Sequence, residues 1–283
     1  MLTSLGVNLL AAKPDCPDCA GTGWIRVEDG GSGTARRCPC GRDLLGPRLL
    51  AAAGIPPKYE SCTFESFATD LAGDPKNTLM RARTICSQYA RDFRPGDAEG
   101  QAPRGLLLIG PPGVGKTHLA VATLRDLILT FGVHGRFIDF TSFISRIQST
   151  FDPSSEDSKH DVIDPVLAAE VLVFDELGAQ KPTPFVQDIL YLVLNTRYSQ
   201  RRATIFTTNF QTARDPRPAP AARDEEFTTP HAFDLSNAPA SRHDLLSERL
   251  PPSLLSRLHE MARSVVLDTE DYRQRSQRAR ARG

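Results

Sequence analysis

With 283 residues, the chain has room for one sizeable α/β domain and a small appendage. Lys+Arg and Asp+Glu each number 34, so the balanced charge excludes bulk attraction to nucleic acid and leaves only a local patch for it. Apolar residues make up 40%, enough for a core. No run approaches the ~18 residues of a membrane span, so no membrane association is expected.

The opening MLTSLGVNLLAA has no positive region before its apolar stretch and does not read as a signal peptide. Four of the six cysteines follow at once: Cys16-Pro-Asp-Cys19 and Cys38-Pro-Cys40. The other two are Cys62 and Cys86, and none comes later, which is not the distribution of a secreted disulfide scaffold. It suits a cytoplasmic chain with one metal knuckle. Thiolates two or three positions apart in tight turns can grip one Zn²⁺ tetrahedrally, so Cys16, Cys19, Cys38 and Cys40 are the expected ligands. Glycines at 21, 23, 30, 31 and 33 suit a short hairpin between the pairs. A redox dithiol is the rival reading, and it explains only one pair. With so few apolar side chains, residues 1–43 would hardly fold without the metal. Cys62 and Cys86 read as ordinary buried thiols. A short helix is expected from Asp43 to Ala53, ended by Gly54 and Pro56-Pro57, with 44–57 as a linker.

From 58 to 270 the pattern becomes that of one larger domain. Residues 75–94 form an amphipathic helix with Leu79, Met80, Ile85, Tyr89 and Phe93 at helical spacing. Gly105–Ile109 is a short, wholly apolar strand of the kind found in parallel sheets covered on both faces. A helix spans Lys116–Phe131, a strand Arg136–Phe140 and a helix Thr141–Thr150, before a polar loop at 152–160. Strand Val171–Phe174, helix Pro184–Ser199 and strand Ala203–Thr207 follow. Residues 211–243 hold five prolines and no periodicity, and read as a long surface loop or flexible insertion. Leu245–Ala262 returns to helix around Pro251-Pro252, and Ser264–Leu267 is the last strand. The final eleven residues carry five arginines and no acid, a basic tail within 271–283.

Three sites carry chemistry. Gly110-Pro111-Pro112-Gly113-Val114-Gly115-Lys116-Thr117 fits G-x-x-x-x-G-K-[ST] and lies between a strand and a helix, the context the motif requires. Gly113 and Gly115 let the backbone curl so that successive N–H groups face phosphate oxygens, and the helix N-terminus points at the same anion. Lys116 can reach the β- and γ-phosphates of ATP, and the Thr117 hydroxyl can ligate Mg²⁺. The buried strand VLVFDEL ends in two carboxylates, which a core disfavours without a reason. Asp175 is expected to hold Mg²⁺ and Glu176 to polarise the attacking water. Thr207-Thr208-Asn209 closes another strand at the end that lines the ligand crevice, with Asn209 the candidate γ-phosphate sensor.

GPPGVGKTHLA (110–120), LVFDELGAQKPTPF (172–185), RRATIFTTN (201–209) and SRLHEMARSVVLDTEDYR (256–273) occur in the order seen in DnaC/DnaI/IstB-type ATPases, which this chain resembles over residues ~55–275. The resemblance implies the AAA+ fold, a five-stranded parallel sheet in the order 5-1-4-3-2, no helical lid domain, and work as a helicase loader or transposition helper. It extends the phosphate-binding set to His118. It makes Arg257 the arginine finger that reaches ATP on a neighbouring subunit, so that hydrolysis needs a homo-oligomer. It places single-stranded DNA near Thr141–Thr150, where Phe143 and Arg146 could offer a stacking face and a cation, although Phe143 equally suits the core. A Tyr272-Arg273 pair also matches, without an assignable role. The N-terminal module is expected to dock on the replicative DNA helicase, or else to touch DNA through Trp24, Arg26, Arg36 and Arg37. Two departures stand out: Pro251-Pro252-Ser253-Leu254 lies where many relatives carry a second arginine, and the 211–243 insertion is long. The expected reaction is hydrolysis of ATP to ADP and phosphate by metal-assisted attack of water. A nucleotide-gated scaffold with negligible hydrolysis is the alternative.

Overall fold

The computed structural model describes residues 15–29, 32–69, 74, 76–95, 105–152, 154–155, 157–180, 183–211, 245–269 and 272. The expected insertion (beyond Gln211), the basic tail and the opening segment lie outside them.

Near the N-terminus, β1 (Trp24–Asp29) and β2 (Ser32–Arg37) pair antiparallel, with Trp24 opposite Arg37. Helix α1 (Pro39–Ala52) starts four residues earlier than expected, because Pro39 occupies its first turn, where a missing N–H costs nothing. The second cysteine pair is therefore continuous with this helix. Leu49 and Ala53 are buried in the main core, and the Phe137 N–H donates to the Ala53 carbonyl at 2.7 Å. The segment expected as a linker is packed down along its length.

Helix α2 (Thr78–Asp92) buries Leu79, Ala82, Cys86 and Ala90, three of them small, and leaves Met80 exposed. Its start is held by Asp74, whose carboxylate accepts from the N–H groups of Thr78 (2.7 Å) and Leu79 (2.8 Å) and from the Thr78 hydroxyl. Strand β3 (Gly105–Ile109), helix α3 (Lys116–Phe131), β4 (Gly135–Asp139), α4 (Phe140–Ser149), α5 (Lys159–Ala168), β5 (Val171–Asp175), α6 (Pro184–Ser199), β6 (Ala203–Thr208), α7 (Pro252–Met261) and β7 (Ala262–Val266) complete the chain. Helix α5 was not expected. Its start has the reciprocal cap of Ser158 and Asp161, a legible signal, while Pro165 inside it obscures the period. The single helix expected over 245–262 is divided: a 3₁₀ turn at Leu246–Glu248 precedes α7, because Pro251 and Pro252 can only begin a helix.

The five strands β3 to β7 form one sheet in the spatial order β4-β5-β6-β3-β7, every pairing parallel. Counted within this sheet, that is 5-1-4-3-2, as the resemblance implied. All residues of β3, β5 and β6 are buried, because helices cover both faces. One face packs α1, α2 and α3 through Leu49, Leu79, Leu119, Leu127 and Val173; the other packs α4, α5, α6 and α7 through Phe140, Phe174, Leu190, Phe206 and Leu258. Past β7 the described residues are 267–269 and Tyr272, the last of them helical.

Arg197 on α6 is fully buried without an acidic partner among the described residues. Its guanidinium donates to the carbonyls of Val166, Ala169 and Ala203 and to the Thr204 hydroxyl. One side chain thus ties the end of α5 to the start of β6. Burial lowers its pKa to about 9.

Candidate nucleotide and metal sites

Parallel strands bring their C-terminal ends to one edge of the sheet, and the first site grows there. Gly110 leaves β3 so close to the neighbouring chain that a Cβ would lie 2.2 Å from the Leu267 carbonyl oxygen. Gly115 has φ +94°, and a Cβ there would meet the Phe67 ring at 2.6 Å. The loop then enters α3, whose N-terminus carries Lys116 and Thr117. The Lys116 ammonium donates to the Pro111 carbonyl at 2.7 Å, spanning the loop from within.

Asp175 ends β5 beside it. Its Oδ1 accepts from the hydroxyls of Thr117 (2.9 Å) and Thr207 (2.6 Å). Burial raises the Asp175 carboxyl above the usual carboxylate range; the two threonine bonds oppose this, while Glu176 and Asp139 add to it. A buried carboxylate that no cationic side chain meets among the described residues, next to a second oxygen donor in Thr117, suits a hard divalent cation such as Mg²⁺. The turn after it is tightly held. Glu176 is exposed and has φ +58°, a left-handed conformation costing about 1 kcal/mol outside glycine. Its N–H donates to the Thr207 hydroxyl (2.9 Å), and the Leu177 N–H to the Thr207 carbonyl (2.8 Å). Strain of this kind persists where the surroundings enforce it.

Thr207 is the residue that sequence reasoning passed over in favour of Asn209. Phe174 lies opposite Phe206 in the β5–β6 register, so the next position on each strand brings Asp175 and Thr207 together. Asn209 stands just past β6, exposed. The His118 ring is engaged elsewhere than the phosphate loop: Nε2 lies 2.8 Å from the Thr63 carbonyl and 3.2 Å from the Ser66 hydroxyl, and the ring meets Phe67 edge-on. Segment 63–67 is thereby fastened over the loop, a placement no local pattern announced. The Tyr272 N–H also reaches the Gly113 carbonyl, at 3.3 Å.

Arg257 is not brought to this chain's own phosphate loop. It lies on α7, with its guanidinium carbon 5.1 Å from the Tyr191 ring centre. Phe143 is buried and meets Phe174 edge-on, so it belongs to the core rather than to a stacking surface. Arg146 pairs with Asp157 at 2.6 Å.

A second site lies at the other end of α1. The sulfurs of Cys16, Cys19, Cys38 and Cys40 are all within 4.8 Å of one another and all four residues are buried. Zn–S bonds of 2.3 Å at tetrahedral angles place sulfurs about 3.8 Å apart, so this cluster is of the right size for one zinc ion. The Cys38 N–H donates to the Gly23 carbonyl, closing the hairpin onto the cluster. Burial works against ionising Cys19, but hydrogen bonds from the Gly23 backbone and from the Cys40, Cys16 and Cys38 thiols outweigh it and bring its pKa to about 7. Cys62 and Cys86 are buried apart from this cluster, and burial pushes Cys86 up to about 12.

Comparison with known proteins agrees with this geometry. Residues 101–215 match the family model described as IstB-like ATP binding protein. The replicative helicase loader DnaC of Escherichia coli (strain K12) is 29% identical over 162 residues, covering 57% of this chain and 61% of the relative. The crystal structure of the DnaC helicase loader superposes with a TM-score of 0.55 and 24% identity, covering 75% of this chain and 99% of that one. The chain is thus similar to IstB-like ATP binding proteins over residues 101–215 and shares its fold with the DnaC helicase loader. The uncharacterized protein YqaM of Bacillus subtilis (strain 168) is also similar, 29% identical over 238 residues, or 82% of this chain and 63% of YqaM. The chain thus spans somewhat less than two thirds of either curated relative. No described helix is long and apolar enough to cross a membrane.

Proposed function

We propose that the chain is an ATP-dependent loader of a replicative DNA helicase. The observation that carries this reading is the phosphate loop set against Asp175, itself gripped by Thr117 and Thr207, in a chain similar to DnaC. Lys116 exchanges the Pro111 carbonyl for the β- and γ-phosphate oxygens of ATP. Thr117 and Asp175 would hold Mg²⁺, which when bound would offset charge building on the phosphates. Glu176, projected by its left-handed turn, orients and polarises the attacking water, and Asn209 contacts the γ-phosphate from the end of β6. Arg257 stabilises the transition state on a neighbouring subunit, so turnover requires a homo-oligomer. Single-stranded DNA passes through the assembly. Phe143 contributes no stacking face to it, and Arg146 is already paired. Zinc held by Cys16, Cys19, Cys38 and Cys40 shapes the element that docks on the helicase; α1 ties that element to the nucleotide-binding core.

Capture of the source organism's replicative helicase tests this. With ATP present the full chain is expected to retain the helicase, whereas a chain beginning at Leu44 and the Asp175→Asn variant are not. Failure of the full chain to capture it contradicts the loader reading. The match of residues 101–215 to IstB-like proteins favours a second reading, a transposition helper ATPase, for which a transposase replaces the helicase as the captured partner.

A further inference from the structure

Arg257 sits in an aromatic setting of its own. Its guanidinium carbon lies 5.1 Å from the ring centre of Tyr191 and 6.0 Å from that of Tyr198. The two tyrosines are seven residues apart on α6, two helical turns, and so share a face. The Tyr198 hydroxyl donates to Glu260 Oε1 at 2.8 Å, and Glu260 is three residues beyond Arg257 on α7. The second ring is therefore held by the very helix that bears the arginine. Nη1 of Arg257 is enclosed with no hydrogen-bond acceptor among the described residues, so on its own side the cation is met by π faces. Tyr191 is 47% exposed, which places this pairing at the surface rather than in the core.

We propose that Tyr191 and Tyr198 are positioning residues that hold Arg257 for use on a neighbouring subunit; this rests on the reading of Arg257 as a finger acting in trans. A free arginine side chain explores many rotamers and loses them when it engages a phosphate. Against two rings the guanidinium keeps its charge and its outward donors but loses that freedom beforehand. A carboxylate partner would compete with the phosphate for the same donors. An aromatic face does not, because it leaves the in-plane N–H groups free. Tyr191 is the nearer ring and has the larger share. Tyr198 is fixed through Glu260 and acts as the backstop.

Steady-state ATP hydrolysis by the full-length protein tests the clamp through a double-mutant cycle. Tyr191→Leu is expected to lower kcat about 10-fold with KM for ATP unchanged, the size of a partly desolvated cation–π contact. Tyr191→Phe keeps the ring and is expected to recover kcat to within about 2-fold of wild type. Arg257→Ala is expected to lower kcat further, and adding Tyr191→Leu to it to cost nothing more. A normal rate in Tyr191→Leu, no recovery with phenylalanine, or a full 10-fold loss persisting in the Arg257→Ala background overturns the clamp while leaving the finger standing. Wild-type turnover in Arg257→Ala, or a wild type that does not turn over at all, overturns the finger reading and the clamp with it.

Discussion

The two ends of α1 are stabilised by different physics. Around Cys38 the buried side chains are four cysteines with Ile25 packed against them, whereas around Ala53 the helix enters a core that covers both faces of a five-stranded sheet. Among the described residues the first region offers little buried apolar surface beyond its cysteines. The second is held by burial, and most of its buried polar groups, Asp175, Thr207 and Thr208 among them, stand near the ends of strands or helices. One packed helix thus joins an element built around four cysteines to a core built on apolar burial.

Metal removal should separate the two most strongly. A structural zinc contributes folding free energy of order 10 kcal/mol. Chelation, or Cys38→Ser, is expected to expose residues 16–40 to limited proteolysis ahead of Leu45 while nucleotide binding persists. Loss of both together would make the regions one cooperative unit. A smaller effect is confined to the core: Arg197→Met leaves the carbonyls of Val166, Ala169 and Ala203 without their donor and is expected to cost about 3 kcal/mol. The urea midpoint should fall with the slope unchanged. An unaltered midpoint would mean that water replaces the guanidinium.

The buried carboxylates predict opposite pH behaviour within the core. Asp175 has a raised pKa, so its stabilising neutral form is fully present below the ordinary value of ~3.9, and that contribution is lost as pH rises through the folded pKa. Asp175→Asn is therefore expected to raise stability at pH 7 by about 1 kcal/mol without nucleotide, and to abolish the gain that Mg²⁺ and ATP give the wild type. Equal stability of the two proteins at pH 7 would contradict the buried-charge account. Asp74 runs the other way. Burial raises its pKa, but the Leu79 and Thr78 bonds outweigh that and lower it, so its contribution is present above ~3.9 and fades as pH falls through the lowered pKa. Asp74→Ala should cost about 1 kcal/mol at pH 7, the value of a helix cap. The loss is expected to shrink in acid.

The same contrast explains what was legible in the sequence. The phosphate loop, the acidic strand end and the cysteine pairs are local patterns whose chemistry is fixed by spacing; the alternation of apolar strands and helices announced the parallel sheet, while its strand order was implied only by the family resemblance. The hold of Thr207 on Asp175, a role distinct from that expected of Asn209, could not be read without the register of β6 beside β5. The packing of Phe67 against Gly115, and Arg197 reaching carbonyls at the end of α5, are products of tertiary packing with no period of their own. Phe143 had both readings open, and its burial and its edge-on contact with Phe174 decide that it is core. Helix α5 was hidden by Pro165, although its Ser158–Asp161 cap was in plain view.

In the proposed mechanism two subunits complete one hydrolytic site. Its most direct test mixes Glu176→Gln protein, which keeps Arg257, with Arg257→Ala protein, which keeps Glu176, and measures ATP hydrolysis. Each alone is expected to be nearly inactive, and the mixture to regain a substantial fraction of wild-type turnover as concentration rises. A mixture no more active than its parts would contradict the account.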